Sequence, residues 1–167
     1  MSFGPKYLED FNRRFQEFRE IEYEVISASK VNRNASPKAF SLVYEMELCY
    51  SAGAYYACLI LACSAIEASL SEEIKGKSLY EKLKQSGYES EISWLRLLRN
   101  NLVHGQDVGA VYHFPEEEQL DVLIAQCKTA FRLVHKLYNE PIKKQPNKLF
   151  KSDSARVAFL LCVGISG

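Results

Sequence analysis

The sequence has no cysteines at the spacings of a metal site or a redox motif. Its five cysteines are an odd number, and no two form a CxxC pair; they are Cys49, Cys58, Cys63, Cys127 and Cys162. Zinc sites and redox motifs need closely spaced cysteines, and disulfide frameworks need even numbers of them. The three histidines also lack metal-ligand spacing. We therefore expect reduced, mostly buried thiols, no metal and no cofactor.

The chain also lacks a glycine-rich phosphate loop, a Ser-His-Asp set and, before residue 150, any strand-like alternation. No basic segment followed by an apolar core opens it, so we expect no signal peptide. The longest apolar run, residues 52–68, is interrupted by Gly53, Ser64 and Glu67. Such a run is typical of a buried helix rather than a membrane span. These features predict a cytoplasmic protein that does not enter a membrane.

The formal net charge of zero conceals an uneven distribution along the chain. Residues 1–140 carry 16 Lys and Arg against 20 Asp and Glu, a net charge of −4, and residues 141–167 carry 5 against 1, a net charge of +4. A mildly acidic body argues against a broad basic surface for DNA or other long nucleic acid. A local cationic site remains compatible with it.

Helical periodicity dominates residues 1–140. The pattern predicts helices at about 6–30, 37–51, 54–74, 78–85, 89–104 and 115–139, with Ser36 and Ser78 as N-caps and Gly87 and Gly105 as helix stops. The first helix has an aromatic stripe that includes Phe11, Phe15 and Phe18. We therefore predict an all-α fold: an antiparallel four-helix-type bundle after a long leading helix. Residues 1–140 form the bundle, and residues 141–167 are a basic linker with an apolar tail.

The helix predicted at 89–104 ends in the most distinctive stretch of the chain, Arg99-Asn100-Asn101-Leu102-Val103-His104. Arg99 falls within the arc of the apolar stripe, and a charge there must be paired, reach solvent or face an interface. Asn100 and His104 are four residues apart and share the adjacent polar face with Arg96. Five residues separate Arg99 from His104 by about 140° of rotation. Two copies related by a two-fold axis could bring one chain's Arg99 to the other's His104.

A structural interpretation of the same residues is open as well. His104 can stabilise the negative end of the helix dipole, and Arg99 can form a structural ion pair. Glu67 is the only charged residue between Ser51 and Glu72, and it can pair with Arg99 or Arg96. A plain helical interaction protein would then carry this stretch by chance.

The string RNNLVHG at residues 99–105 resembles the signature of the HEPN superfamily, with Arg99, Asn100 and His104 as its matching positions. The run AYYACLILACSAIEASL, residues 54–70, resembles the long second core helix of these bundles, including its lone acid, Glu67. The resemblance covers residues 37–139. It implies a metal-independent endoribonuclease of toxin or phage-defence type, a homodimer with RNA as substrate and a possible antitoxin partner. It also implies Arg99, Asn100 and His104 as catalytic residues, supported by Glu67 and Arg96.

The sequence departs from one HEPN group. Toxins of this superfamily that pair with nucleotidyltransferase antitoxins usually have a tyrosine two residues after the motif histidine, whereas this chain has Gln106. The tail PNKLFKSDSARVAFLL resembles the C-terminal tails of mobile, integron-type gene cassettes. The alternative function is a catalytically silent HEPN module that binds RNA, a nucleotide or a protein.

Overall fold

The computed structural model describes residues 4–29, 36–76, 78–104 and 117–140. These residues form helices and no strand, which confirms the predicted all-α class. The helices are α1 (Pro5–Ala28), α2 (Pro37–Ser51), α3 (Tyr55–Glu73), α4 (Leu79–Ser86), α5 (Glu89–His104) and α6 (Glu117–Asn139). The predictions for the stop at Gly105, a helix start at Pro115 and the tail 141–167 lie outside the described residues.

Local capping residues set the ends of α2 and α4 as the sequence predicts. The Ser36 hydroxyl accepts a hydrogen bond from the Ala39 amide at 3.1 Å, and Pro37 occupies the first helical position. The Ser78 hydroxyl accepts one from the Glu81 amide at 3.3 Å. Gly87 ends α4 with a φ of 78°, a left-handed conformation that glycine adopts at little cost. The chain then turns directly into α5.

The core lies among α1, α2, α3 and α6, each of which packs against two of the others. Three aromatic rings meet at its centre: the Phe131 ring makes edge contacts with Phe18 at 4.0 Å and with Tyr50 at 5.1 Å between centroids. Edge-to-face pairs of this kind add to the stability from buried area alone. Because Phe18 belongs to α1, this helix builds the core rather than only preceding it.

The aromatic stripe of α1 is buried only in the middle of the helix. Phe18 and Ile21 are buried, whereas Leu8 is 54% exposed near the N-terminal end. The reason is that α2 and α6 cover α1 over its middle turns, where Glu47 and Lys128 form ion pairs with Arg19 and Glu17. A periodic stripe shows which side of a helix faces inward, but not how far along its length the neighbouring helices reach.

The remaining helices, α4 and α5, lie on the outer side of α3 and pack against each other. Lys136 of α6 forms an ion pair with Glu91 of α5 at 2.7 Å, and the Tyr88 hydroxyl donates to Glu140 at 3.0 Å. These contacts fix the first turn of α5 at the end of α6. Residues 96–104 of α5 therefore lie further along the helix, away from these contacts with α6.

The stability of the fold is expected to decrease in mild acid because of His135. This residue is buried, its Nε2 has no hydrogen-bond partner in the described part of the chain, and burial lowers its pKa below the usual 6.5. The unfolded chain therefore binds a proton at a higher pH than the folded chain does. The free energy of unfolding is therefore not reduced by His135 above pH 6.5. Below pH 6.5 it decreases by up to about 1.4 kcal/mol per pH unit, until the pH reaches the lowered pKa of the folded state.

Urea denaturation between pH 7.5 and 5 measures this effect. His135→Leu removes the titrating group, so its free energy of unfolding should change less over this interval than that of the wild type. Equal pH dependence in the two proteins would show that another group is responsible.

Candidate functional site

The C-terminal half of α5 is less covered than its beginning. Of the stripe predicted to face the core, Ile92 and Leu95 are buried, Leu98 is half-buried, and Val103 is 49% exposed. Leu97 on the neighbouring face is 51% exposed. The helix thus packs through its first two turns, and its last two turns present both apolar and polar side chains to solvent.

Arg99 and Asn100 lie together on this open part of α5. The Arg99 Nη1 donates a hydrogen bond to the Asn100 Oδ1 at 3.1 Å, and both side chains are half-buried. Across residues 4–29, 36–76, 78–104 and 117–140, no carboxylate lies within 4.0 Å of the Arg99 guanidinium. A half-buried guanidinium without a carboxylate keeps most of its donors available for an added anion.

Cys63 of α3 lies close to the two arginines of α5. Burial raises the pKa of the Cys63 thiol to about 11, while the positive charges of Arg99 and Arg96 act in the opposite direction. The thiol is therefore protonated at neutral pH and acts as a small apolar side chain of the core. Cys58 and Cys127 are also buried and free, and Cys49 is free and half-buried, as the sequence predicts for these positions.

His104 is exposed and is the last residue of α5. It follows Asn100 by one helical turn on the same face, whereas it is about 140° and about 7.5 Å of helical rise away from Arg99. The structure thus joins Arg99 to Asn100 directly and leaves His104 at the helix end. Arg99 and His104 therefore leave the axis of α5 in different directions.

Glu67 does not form the expected ion pair with Arg99 or Arg96. Its carboxylate lies 3.8 Å from the Nζ of Lys82, and that ammonium also donates a hydrogen bond to the Ser71 hydroxyl at 2.7 Å. The physical reason is that α4 packs beside α3 and places the buried Lys82 over this face. Glu67, whose side chain is 43% exposed, thus forms its ion pair with Lys82 and with neither arginine of α5.

Arg96 contacts an aromatic ring that the sequence analysis did not single out. Its guanidinium carbon lies 5.3 Å from the ring centroid of Tyr80 in α4, a cation–π arrangement. The Arg96 Nε is buried and has no hydrogen-bond partner in the described segments. Tyr80 itself is 42% exposed. The sequence did contain a sign of this contact. Tyr80 lies on a short helix that directly precedes α5, and an exposed tyrosine there is a candidate contact residue.

An open pocket of about 440 Å³ lies between α2 and α3, next to Glu67 but apart from the arginines. It is lined by Lys38, Leu42, Ser64, Glu67, Ala68, Ser71 and Glu72. Within the described residues, no three His, Cys, Asp or Glu side chains gather into a group that could hold a metal ion. None of the described helices is long and apolar enough to cross a membrane.

Comparison of the chain with models of protein families, with curated proteins and with solved structures finds no match.

Proposed function

We propose that this chain is a metal-independent endoribonuclease of the HEPN type, with a toxin or phage-defence role in the cytoplasm. The observation that supports it most is the environment of Arg99. The guanidinium is half-buried and bonded to Asn100, and no carboxylate of the described residues neutralises it. A half-buried guanidinium that no carboxylate neutralises favours the binding of an anion, since an unpaired charge near a protein core is costly. An anionic substrate group supplies the missing partner.

The residue types suit phosphodiester cleavage through the ribose 2′-hydroxyl. His104 is exposed, and an imidazole side chain can accept the 2′-hydroxyl proton or protonate the departing 5′-oxygen. The 2′-oxygen forms the new bond to phosphorus as the bond to the 5′-oxygen breaks, which leaves a 2′,3′-cyclic phosphate. Arg99 stabilises the charge that develops on the phosphoryl oxygens through its planar fork of donors, and Asn100 holds that fork in position.

The proposed site is shared between the two chains of a homodimer. Because α5 turns Arg99 and His104 away from each other, a two-fold pair is needed to place one chain's guanidinium opposite the other's imidazole. The exposed Leu97 and Val103 on the last turns of α5 supply apolar surface for such an interface. In this proposal the helices assemble as in a HEPN bundle, RNA is the substrate, and an antitoxin controls the activity. Tyrosine-based control would need a tyrosine at position 106, where this chain has Gln106, a residue outside the described segments.

RNA cleavage by the purified chain in EDTA tests the proposal. We expect a labelled single-stranded RNA to be cut to 2′,3′-cyclic phosphate products, and the DNA of the same sequence to remain intact because it lacks the 2′-hydroxyl. A single 2′-deoxy nucleotide should block cleavage at that nucleotide alone. RNA that is bound but not cut would favour the silent HEPN module instead. A chain that neither binds nor cuts RNA would contradict the ribonuclease proposal and would also exclude RNA as the ligand of the silent module.

A further inference from the structure

We propose that Tyr80, backed by Arg96, is a stacking platform for one nucleobase of the RNA, next to the phosphate held by Arg99. This inference rests on the proposed function and adds to it a subsite on another helix. The subsite would bind the planar face of a base rather than a phosphate. It involves α4, which contributes none of the groups proposed for the cleavage step.

The first argument is the state of the Tyr80 ring. The guanidinium of Arg96 lies over it at 5.3 Å, and 42% of the residue is exposed. An aromatic ring held against a cation and partly exposed to solvent can offer stacking area to a second planar group. Proteins bind single-stranded nucleic acid by stacking successive bases on such rings, with added contributions from arginine.

The second argument is the place of Tyr80 along α5. Gly87 ends α4, the chain enters α5 at Glu89, and the contact between Tyr80 and Arg96 joins the two helices at this level. Arg96 precedes Arg99 by three residues, close to one helical turn or about 4.5 Å along the axis. A base attached to the nucleotide next to the bound phosphate spans this separation.

The third argument is how Arg96 differs from Arg99. Arg96 stacks on a ring and its buried Nε lacks a hydrogen-bond partner in the described segments, whereas Arg99 presents its fork beside Asn100. The two arginines therefore suit different groups of the RNA. Arg96 with Tyr80 would bind the face of a base, and Arg99 would bind a phosphate. Because every base has a π-face, this platform tolerates any base and favours purines, whose stacking area is larger.

The test is a binding cycle with a short single-stranded RNA made uncleavable by 2′-O-methyl groups. Fluorescence anisotropy gives the dissociation constant for the wild type, Tyr80→Leu and Tyr80→Phe, and for the same RNA carrying one abasic nucleotide at each position in turn. Tyr80→Leu keeps apolar bulk on α4 but removes the π-face, and it should weaken binding roughly 10-fold. Tyr80→Phe should bind as the wild type does. Tyr23→Leu, at a 76% exposed tyrosine on α1, is the matched control and should have no effect.

The decisive comparison is between the effect of an abasic RNA position and the effect of Tyr80→Leu. At a single abasic position the wild type should lose the same factor as Tyr80→Leu, and the variant should lose nothing further, because the base and the ring form one contact. Melting temperatures of the variants establish that they are folded. Independent losses at every abasic position, or equal binding by Tyr80→Leu and Tyr23→Leu, would overturn the inference. If Arg99→Ala weakens binding while Tyr80→Leu does not, the proposed function stands and the platform alone fails.

Discussion

Arg99→Ala is expected to abolish RNA cleavage, with a rate at least about 100-fold lower, while the free energy of unfolding changes by about 1 kcal/mol or less. The small stability effect follows from the contacts. Glu67 is 43% exposed and pairs with Lys82 rather than with Arg99, so the removal of Arg99 strands no buried carboxylate. If Arg99 were instead the partner of a buried acid, its loss would cost roughly 3–5 kcal/mol. Single-turnover cleavage and urea denaturation measure the two quantities separately.

Two further variants sharpen this prediction. Arg99→Lys keeps the charge but loses the planar fork, so it should also lose most of the cleavage activity. Arg13→Ala removes an arginine whose side chain is 58% exposed on α1, in surface ion pairs with Asp10 and Glu17, and it should leave cleavage unchanged. Strong destabilisation by Arg99→Ala, or cleavage at the wild-type rate, would contradict the assignment of this guanidinium to the substrate.

The parts of the fold that depend on local chemistry were predictable from the sequence. Ser36 with Pro37, and Ser78 with Gly87, set the ends of α2 and α4 because caps and left-handed stops act through the residues next to them. The apolar α3 likewise follows from composition, since a helix that is hydrophobic on nearly all sides must be enclosed. Helical periodicity likewise predicts that Arg99, Asn100 and His104 lie on one helix, as they do in α5.

The partners of charged residues could not be predicted in this way. Lys82 follows Glu67 by fifteen residues, and their ion pair depends on how α4 lies against α3, which helical periodicity does not specify. From the sequence alone, Arg99 and Arg96 of α5 are possible partners for Glu67, because the packing of α4 is unknown. The position of α1 in the core shows the same limit, because a periodic stripe does not identify which helices cover it.

The Arg96–Tyr80 contact was missed for a related reason. Both residues lie at polar edges of their helices, and single-helix patterns treat such positions as solvent-exposed. Only the packing of α4 against α5 brings the guanidinium over the ring. A site formed between two helices can therefore be predicted only when their packing is known, whereas a site within one helix can be predicted from the sequence.

His104→Ala is expected to abolish cleavage as completely as Arg99→Ala does, with little loss of stability. His104 is exposed at the end of α5, so its removal costs at most about 1 kcal/mol of favourable interaction with the helix dipole.

Expression of the wild-type chain should slow bacterial growth, and His104→Ala should relieve this. Equal growth with the two proteins would remove the toxin role. Neither single variant should cleave RNA by itself, because each dimer of one variant lacks the same group at both of its sites.

Mixing the two inactive variants tests the shared site most directly. In a heterodimer, the Arg99→Ala chain supplies His104 and the His104→Ala chain supplies Arg99, so one of the two sites is complete again. We predict that cleavage returns on mixing, to at most half of the wild-type rate per dimer, with heterodimers confirmed by native mass spectrometry. Confirmed heterodimers that remain inactive, or a wild-type chain that stays monomeric at micromolar concentration, would contradict a site built by Arg99 and His104 across a two-fold interface.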